Sequence, residues 1–410
     1  MHSPLFMKRI ALWCAAVLIC AAATAQRTVV SGTVRDAQTG ARLSQVSVSA
    51  PGTNESVVTN DDGAFTLKSA AGIDTLVVSY LGYRTRRVST ANGQNGKSLD
   101  IRLTPASVQL NEVVVWTSDP RQLVRIAMSK ISNNYSGQPE LLRGFYRETA
   151  KKRQHYIYVA EGVVDMYKTS YQKGTTRDRV AIRKGRRLLS PKRSDTLSIK
   201  VTGGPVQPIQ LDVVKNPDFL LNAEELSKYN FELLPPQMIG DREQFVVAIS
   251  PLLPQPYALY YGRFYIDRET LAFTRVELEL DMSDREKATS LMLVRKPAGV
   301  RFRPRELSLL VDYRQDGDVT RISYVRNTFR FNCDWRRRLL ATSFTATCEM
   351  VVTGRADEPL PISGRQSFDS HDAFYDKVDY FLDPDFWEDY NIIEPSESLD
   401  QAINKLLKRR

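Results

Sequence analysis

The sequence predicts a mainly β protein with an N-terminal seven-stranded antiparallel β-sandwich. An α+β domain with a large curved antiparallel sheet and few helices is expected to follow. Short alternating apolar runs separated by Gly, Asn or Asp fill the first hundred residues, and longer alternating runs dominate after residue 230. A chain of 410 residues favours two domains.

The N-terminus has the pattern of a secretory signal peptide. Lys8 and Arg9 precede an apolar run over residues 10–23, and an A-x-A cleavage motif ends at Ala25. The run is too short to span a bilayer comfortably. We therefore predict a signal peptide over residues 1–25 and an exported protein. Export makes nucleic acid an improbable partner for the positive net charge of +10.

Residues 26–116 are predicted to form the sandwich. Alternating segments such as "TVVSGTVRD", "SQVSVSA", "GAFTLKS" and "DTLVVSY" are spaced as in small all-β domains. The stretch "TNDDGAFTLK" (residues 59–68) carries adjacent acids, Asp61 and Asp62, followed directly by Gly63. A calcium loop needs acids at alternating positions, so we interpret this stretch as a hairpin turn instead.

Three segments of this domain carry a family resemblance. "VSGTVRDAQTGARLSQVSVSAPGTNESVVTNDDGAFTL", "LVVSYLGYRTRRV" and "IRLTPASVQLNEVVV" resemble the carboxypeptidase-regulatory-like domain of Bacteroidota envelope proteins, which also precedes TonB-dependent transporters. The resemblance implies a transthyretin-like sandwich at the periplasmic side of the outer membrane, without peptidase activity. Too few residues follow for a transporter barrel. "NEVVV" (residues 111–115) is either a last edge strand or a segment that contacts another protein.

Residues 117–367 are predicted to form the second domain. Asp119 and Pro120 mark the start of a helix over residues 121–135, and residues 217–229 suggest a shorter helix. The long alternating runs that follow predict an antiparallel sheet. One of them, "GRFYIDRETLAFTRVELELD" (residues 262–281), resembles the strand–turn–strand unit of periplasmic lipoprotein carriers. That resemblance implies a half-barrel with an apolar groove.

Residues 368–410 form an acidic, aromatic tail. It resembles the ending of uncharacterised Bacteroidota proteins with the same N-terminal module, and Ser396 is expected to cap an amphipathic C-terminal helix. Cys333 and Cys348 are either two buried thiols or a disulfide. A simple hairpin between them would place Cys333 opposite a residue near 339, so a bridge needs another strand arrangement.

Charge is segregated along the chain. A basic segment lies at residues 177–193, whereas eleven acids lie between residues 369 and 400. Either the tail folds back onto the basic segment, or the segment binds phosphorylated lipid. The candidate basic binding surface comprises Arg177, Arg179, Arg183, Lys184, Arg186, Arg187, Lys192 and Arg193.

Catalytic motifs are absent from the sequence. His155 and His371 are isolated, and neither H-E-x-x-H nor G-x-S-x-G occurs. Glu277, Glu279 and Asp281 alternate along one strand, as carboxylates of a hydrolase or of a solvated strand face do. We predict no catalytic residue, no metal and no cofactor.

The sequence therefore indicates a non-catalytic binding or adaptor protein of the cell envelope, in the periplasm or at the periplasmic face of the outer membrane. Its expected partners are an envelope protein, a glycan or a phosphorylated lipid, with peripheral membrane association. The main alternative is a lipid or lipoprotein carrier, and a carboxylate-dependent hydrolase is less favoured.

Overall fold

A computed structural model describes residues 27–91, 97–106, 119–190, 192, 203–292, 299–335, 341–380, 386–387 and 390–407. The predicted signal peptide, residues 111–115 and Arg193 lie outside the described residues.

The N-terminal domain is a sandwich of two small sheets that together hold seven of the described strands. One sheet has the order β4-β1-β7 and the other β3-β2-β5-β6. Val34, Val48, Leu67 and Leu76 are fully buried between them. The strands are β1 (Thr28–Asp36), β2 (Ser47–Ser49), β3 (Ser56–Val58), β4 (Ala64–Ser69), β5 (Thr75–Ser79), β6 (Arg86–Ser89) and β7 (Leu99–Leu103).

Two details of the sandwich differ from the predicted antiparallel hairpins. β7 runs parallel to β1, whereas the other pairings are antiparallel. The stretch at residues 59–68 is a turn, as predicted, but it does not close a hairpin. β3 pairs with β2 and β4 pairs with β1, so this turn carries the chain from one sheet to the other.

Gly63 is required at this crossing. Its φ is +69°, and a Cβ atom would lie 2.6 Å from the carbonyl oxygen of Val34. The side-chain oxygen of Asn60 accepts hydrogen bonds from the backbone N–H groups of Asp62 and Ala64. Backbone geometry, rather than cation binding, therefore accounts for the acidic stretch.

The second domain is built on one sheet in which eleven strands of the described chain take part. Its order is β11-β12-β13-β14-β15-β16-β17-β8-β9-β10-β18, antiparallel except for the final pairing. The strands are β8 (Glu140–Lys152), β9 (His155–Lys168), β10 (Arg179–Leu189), β11 (Tyr229–Ile239), β12 (Arg242–Pro251), β13 (Tyr260–Asp267), β14 (Phe273–Leu280), β15 (Val300–Asp316), β16 (Val319–Trp335), β17 (Thr342–Arg355) and β18 (Asp379–Tyr380).

The helices are short and few, as predicted. They are α1 (Pro120–Ser129), α2 (Ile131–Asn134), α3 (Gln207–Gln210), α4 (Ala223–Leu226), α5 (Arg285–Met292) and α6 (Glu397–Leu407). Asp119 caps α1 with its side chain, and Pro120 occupies the first turn. Leu123, Val124 and Ala127 of α1 join the largest core cluster on one face of the sheet. We call this the closed face.

Side-chain alternation gives the sheet two different faces. Along β17, Phe344, Ala346, Cys348 and Met350 are buried. The residues between them, such as Thr347, are partly exposed on the other side. We call the second side the open face.

Cys333 and Cys348 are both free thiols. They lie on neighbouring antiparallel strands, but Cys333 is opposite Thr342 and Cys348 is opposite Asn327. Six residues along a strand correspond to about 20 Å, which is far beyond the reach of a disulfide. Burial raises the pKa of the Cys333 thiol to about 11.

The acidic tail contributes Phe368, Phe374 and Val378 to the core of the closed face. Its described residues from 386 onward lie over the open face and join the two domains. Asn391 accepts from the backbone N–H of Lys68 (2.7 Å) and donates to its carbonyl (2.8 Å), which covers the edge strand β4. Asp62 accepts from the first N–H of α6 at Glu397 (2.6 Å). Ser396 accepts from Leu399 at 3.3 Å, so the predicted cap is present.

Candidate binding groove

A groove of about 1080 Å³ lies on the open face of the large sheet. Residues of nine neighbouring strands, from β11 to β9, line it, and a flat sheet would not enclose such a cavity. Thr59, Asn60 and Asp61 of the sandwich form one wall. Ile393 and Leu399 of the tail form another, so both domains contribute to the groove.

A row of alternating charges crosses five strands of this face. Strand register places Arg326 opposite Glu349, Glu349 opposite Arg147, Arg147 opposite Glu161, and Glu161 opposite Arg186. Directly opposite residues share one face of an antiparallel sheet. We call these five residues the charge ladder.

The two ends of the charge ladder differ in exposure. Glu161 is 1% exposed and accepts from Arg147 (2.7 Å) and Arg186 (3.1 Å). Burial opposes ionisation of Glu161, but the two arginines outweigh it and lower its pKa. At the other end, Arg326 and Glu349 are 3.9 Å apart and their side chains are 27% and 18% exposed. Only this second end is open within the groove.

The tail covers the buried end of the charge ladder. The Trp387 indole N–H donates to Glu161 (3.3 Å), and its ring packs edge-on against Phe145. Arg147 donates to the backbone carbonyl of Ile393 at 2.6 Å. Asn60 of the sandwich donates to the carbonyl of Pro395 at 3.0 Å. A polypeptide segment therefore already occupies one end of the groove.

A row of hydroxyl groups runs beside the charge ladder. Ser308 is opposite Thr328, Thr328 is opposite Thr347, and Thr347 is opposite Thr149. All four are partly exposed and line the groove. Hydroxyls both donate and accept hydrogen bonds, so this row matches a ligand that carries both kinds of group.

Further charged residues form the rim. Arg330 and Glu306 are 3.3 Å apart, with side chains 58% and 26% exposed. Glu277 accepts from Arg275 (2.8 Å) and from the Tyr265 hydroxyl (3.0 Å). Of the predicted alternating acids, Glu277 and Glu279 face one side of β14, whereas Asp281 lies beyond its end. Glu277 is already bonded within the protein.

Most described residues of the candidate basic segment contact other residues of the protein. Arg186 is 8% exposed in the charge ladder, so its expected place on a free surface is wrong. The strand alternation of β10 explains this, because it directs Arg186 under the tail. Arg187 donates to the Tyr375 carbonyl and stacks on that ring (4.2 Å).

The other residues of that segment are dispersed. Arg183 pairs with Asp165 at 2.7 Å, Lys184 lies over the Phe386 ring at 4.2 Å, and Arg179 donates to the carbonyls of Thr176 and Asp178. Arg177 and Lys192 are exposed. Among the described residues, the tail meets the basic segment through aromatic and backbone contacts.

Sequence reasoning missed most of the groove. Arg147, Arg326, Thr328 and Thr347 belong to long strands whose alternation was recognised, but no register between the strands was available. The usable signal was the regular recurrence of charged and hydroxyl residues at every second position, which marks an unusually polar sheet face.

A second set of charges lies sealed on the closed face. Lys168 donates to Asp212 at 2.8 Å, and Lys215 donates to Asp178 at 2.7 Å; all four are at least 93% buried. The Tyr313 hydroxyl also donates to Asp212, at 2.8 Å. Burial and the neighbouring Lys168 lower the pKa of Lys215 to about 8. None of these residues lines the groove. Their ion pairs attach the segment of residues 203–228 to the sheet.

Glu148 is a buried acid on the closed face. Its carboxylate accepts from the hydroxyls of Tyr146 (2.9 Å) and Tyr158, and it is 3% exposed. No described Lys or Arg forms an ion pair with it. Burial therefore raises the pKa of Glu148 to about 8.

Neither histidine occupies a catalytic setting. His155 is exposed at the start of β9, and His371 is exposed with its Nδ1 2.9 Å from Asp369. Across the described part of the chain, no three His, Cys, Asp or Glu residues are grouped as metal ligands. Among the same residues, no helix has the length and apolarity needed to cross a membrane.

The N-terminal domain matches a known family. The CarboxypepD_reg-like domain is recognised over residues 30–115, inside the predicted range of 26–116. No curated protein matches the chain in sequence.

Several solved structures are similar to the larger part of the chain. A DUF1329 family protein from Desulfovibrio piger is 8% identical, with 57% of this chain and 94% of that chain covered and a TM-score of 0.25. The LolA superfamily protein NE2245 from Nitrosomonas europaea is 13% identical, with coverages of 57% and 95% and a TM-score of 0.19. The MucA/MucB complex of Pseudomonas aeruginosa is 13% identical, with 56% of this chain and 93% of that chain covered and a TM-score of 0.17. At these TM-scores, the similarities define neither the fold nor the function of this chain.

Proposed function

We propose that this chain is a non-catalytic binding protein of the cell envelope, which holds a polypeptide segment of a partner protein in its groove. The observation that supports this most strongly is the occupancy of one groove end by the tail. Arg147 and Asn60 donate to the main-chain carbonyls of Ile393 and Pro395. Main-chain recognition of this kind accepts many side-chain sequences.

The open part of the groove offers the same chemistry. Arg326 and Arg330 supply donors, Glu277 and Glu349 supply acceptors, and the hydroxyl row supplies both. A polypeptide presents N–H and C=O groups in alternation, so a mixed lining suits it. The alternating signs of the charge ladder keep the groove close to neutral, which disfavours a strongly charged ligand.

The lipid-carrier alternative requires an apolar groove. Here the largest apolar cluster of the sheet lies on its closed face, beneath α1 and the segment of residues 203–228. On the open face, Phe145, Val163 and Val351 are buried beneath the tail. Acyl chains in the groove would take water away from the partly exposed Arg326–Glu349 pair and from the hydroxyl row without adding any hydrogen bond, at a free-energy cost. Groove chemistry therefore supports a polar ligand over a lipid tail.

The hydrolase alternative requires a groove acid that stays protonated near neutral pH. Burial raises the pKa of Asp312, but this acid lies 3.2 Å from Arg275 and outside the groove lining. Glu148 lies on the opposite face of the sheet from Arg147 because the two are adjacent in β8. This arrangement supports binding rather than catalysis.

The envelope location is proposed on the predicted signal peptide and on the CarboxypepD_reg-like domain. In this proposal the sandwich closes the groove as well as offering a docking module. Its residues Asn60, Asp62 and Lys68 all contact the tail.

A peptide array tests the proposal. Fluorescently labelled full-length protein would be applied to an array of twelve-residue peptides and to an array of neutral oligosaccharides. We expect saturable binding to a subset of peptides. Arg326→Gln or Glu349→Gln should weaken that binding about tenfold, the effect of removing one hydrogen bond to a charged group.

A matched pair of variants controls for charge loss. Arg268 and Glu243 form a 2.7 Å ion pair with side chains 27% and 30% exposed, similar to Arg326 and Glu349, but outside the groove. Arg268→Gln and Glu243→Gln should leave peptide binding unchanged. Binding to oligosaccharides alone, or equal losses in both pairs, would overturn the proposal.

A further inference from the structure

One end of the large sheet gathers basic side chains from three separated segments. Register brings the ends of β15, β16, β17 and β8 together, with Arg301 opposite Asp334 and Lys152 opposite Phe344. Arg330, Thr345 and Lys151 are consecutive partners across three strands. We call this region the basic sheet end; its basic residues are Lys151, Lys152, Arg153, Arg301, Arg303, Arg305 and Arg330.

Positive charge is in clear excess at the basic sheet end. Against these seven basic residues, the described ion pairs of the region contain two acids, Asp334 and Glu306. Asp334 lies 3.4 Å from Arg303, and Glu306 lies 3.3 Å from Arg330. Arg153, Arg301 and Arg305 are exposed. Partly exposed ion pairs are weak and screened, so the region keeps a positive surface potential.

Lys151 and Arg330 line the groove, and the other five basic residues are spread over the surface beside it. They come from neighbouring strand ends about 4.8 Å apart and from the turn between β8 and β9, so they cover roughly 15 Å. A single phosphate group would reach one or two of them. A surface that carries many negative groups would reach most of them.

The strand ends at this region are held firmly. On the closed face, Phe331 packs against Phe302 (ring centroids 5.0 Å apart) and against Phe344 (5.6 Å). Met292 of α5 packs against the same cluster, and its neighbour Leu291 is 47% exposed. The basic sheet end thus combines preorganised charge with an exposed apolar side chain at its margin.

We propose that the basic sheet end docks the protein on an anionic lipid surface through phosphate-bearing head groups. Each Lys or Arg near such a surface contributes roughly a fivefold gain in affinity. Because Arg153, Arg301 and Arg305 lie outside the groove lining, this contact can be tested apart from peptide binding. It replaces the residue 177–193 segment as the membrane-facing charge.

Vesicle sedimentation tests the proposal. Protein without the predicted signal peptide of residues 1–25 would be mixed with phosphatidylcholine vesicles that contain one-third phosphatidylglycerol, and with vesicles of phosphatidylcholine alone, at low and high salt. The test variant is Arg153→Asn/Arg301→Gln/Arg305→Gln. Asn is chosen at position 153 because the backbone φ there is +56°. The control Arg125→Gln/Arg177→Gln/Lys192→Gln removes three exposed charges elsewhere.

We expect wild-type protein to bind only the anionic vesicles, and less at high salt. The test variant should bind at least tenfold more weakly, and the control within about threefold of wild type. Thermal unfolding would confirm that both variants fold. Equal binding to neutral vesicles, equal losses in the control, or full inhibition by stoichiometric inositol hexakisphosphate would overturn the proposal.

Discussion

The two faces of the large sheet differ in how far their charged residues are buried. On the closed face, Lys168, Asp178, Asp212 and Lys215 form ion pairs and are all at least 93% buried. On the open face, the charge ladder runs from a buried end to an end within the groove. Lys168 is the last residue of β9, whereas Asp178, Asp212 and Lys215 lie in segments outside the strands that pack on the closed face. Exposure, and not charge content, therefore distinguishes a structural cluster from a ligand surface.

The largest effect is expected from breaking the closed-face cluster. Asp212→Asn leaves Lys168 buried without its main counter-ion. It also replaces one of the two oxygens that accept from Lys168 and Tyr313 with an N–H donor. Removing one partner of a buried ion pair costs about 3–5 kcal/mol. Urea unfolding should show that loss. The control Glu269→Gln, at a side chain that is 82% exposed, should change stability by less than about 1 kcal/mol.

The buried end of the charge ladder should behave like the closed face. Glu161→Gln leaves Arg147 and Arg186 without their shared carboxylate and weakens the contact with Trp387. We expect a loss of about 3 kcal/mol in urea unfolding. Faster proteolytic cleavage between the tail and the sheet should accompany it. Unchanged stability would show that exposure does not separate the two ends.

The buried Glu148 on the closed face should make the free energy of unfolding depend on pH. Its folded pKa of about 8 lies above the unfolded value near 4.3, so the folded state holds a proton that the unfolded state releases. Its stabilising contribution is complete below pH 4.3 and is lost as pH rises to 8, by about 1.4 kcal/mol per pH unit. Unfolding titrations of Glu148→Gln should lack this slope. An identical slope in the variant would refute the assignment.

The smallest effect is expected at the groove rim. Arg330→Gln breaks an ion pair with Glu306 in which Arg330 is 58% exposed. Such pairs contribute about 0–1 kcal/mol to stability. Thermal unfolding should therefore show little change. A loss comparable to that of Asp212→Asn would mean that the open face is structural as well.

Local sequence patterns predicted where helices begin, but they did not predict which residues share a face of the sheet. Asp119 with Pro120, and Ser396 before an apolar stripe, correctly marked helix starts because caps act within a few residues. The charge ladder joins Arg326, Glu349 and Glu161 across strands far apart in sequence. Strand register is a tertiary property, so no local pattern reveals it.

The basic segment shows the same limit from the other side. A linear cluster from Arg177 to Arg193 suggested a surface, yet strand alternation buried Arg186 and the tail covered Lys184 and Arg187. The region with more accessible charge combines Arg153, Arg301 and Arg330 from distant segments. The clustering of basic residues in sequence suggested too large a free surface at residues 177–193. It gave no sign of the basic sheet end, whose residues are far apart in sequence.

Dye labelling in the groove tests most directly whether the open face is the ligand surface. Thr328→Cys would carry an environment-sensitive dye on the groove floor, and Thr104→Cys would carry it at an exposed site outside the groove. Protein without the predicted signal peptide lacks Cys14 and Cys20, and its native thiols at Cys333 and Cys348 are 2% exposed, so they should not react. Titration with the tightest peptide from the array should change emission at position 328 and not at 104. No change at 328, or the same change at both positions, would contradict a ligand surface on the open face.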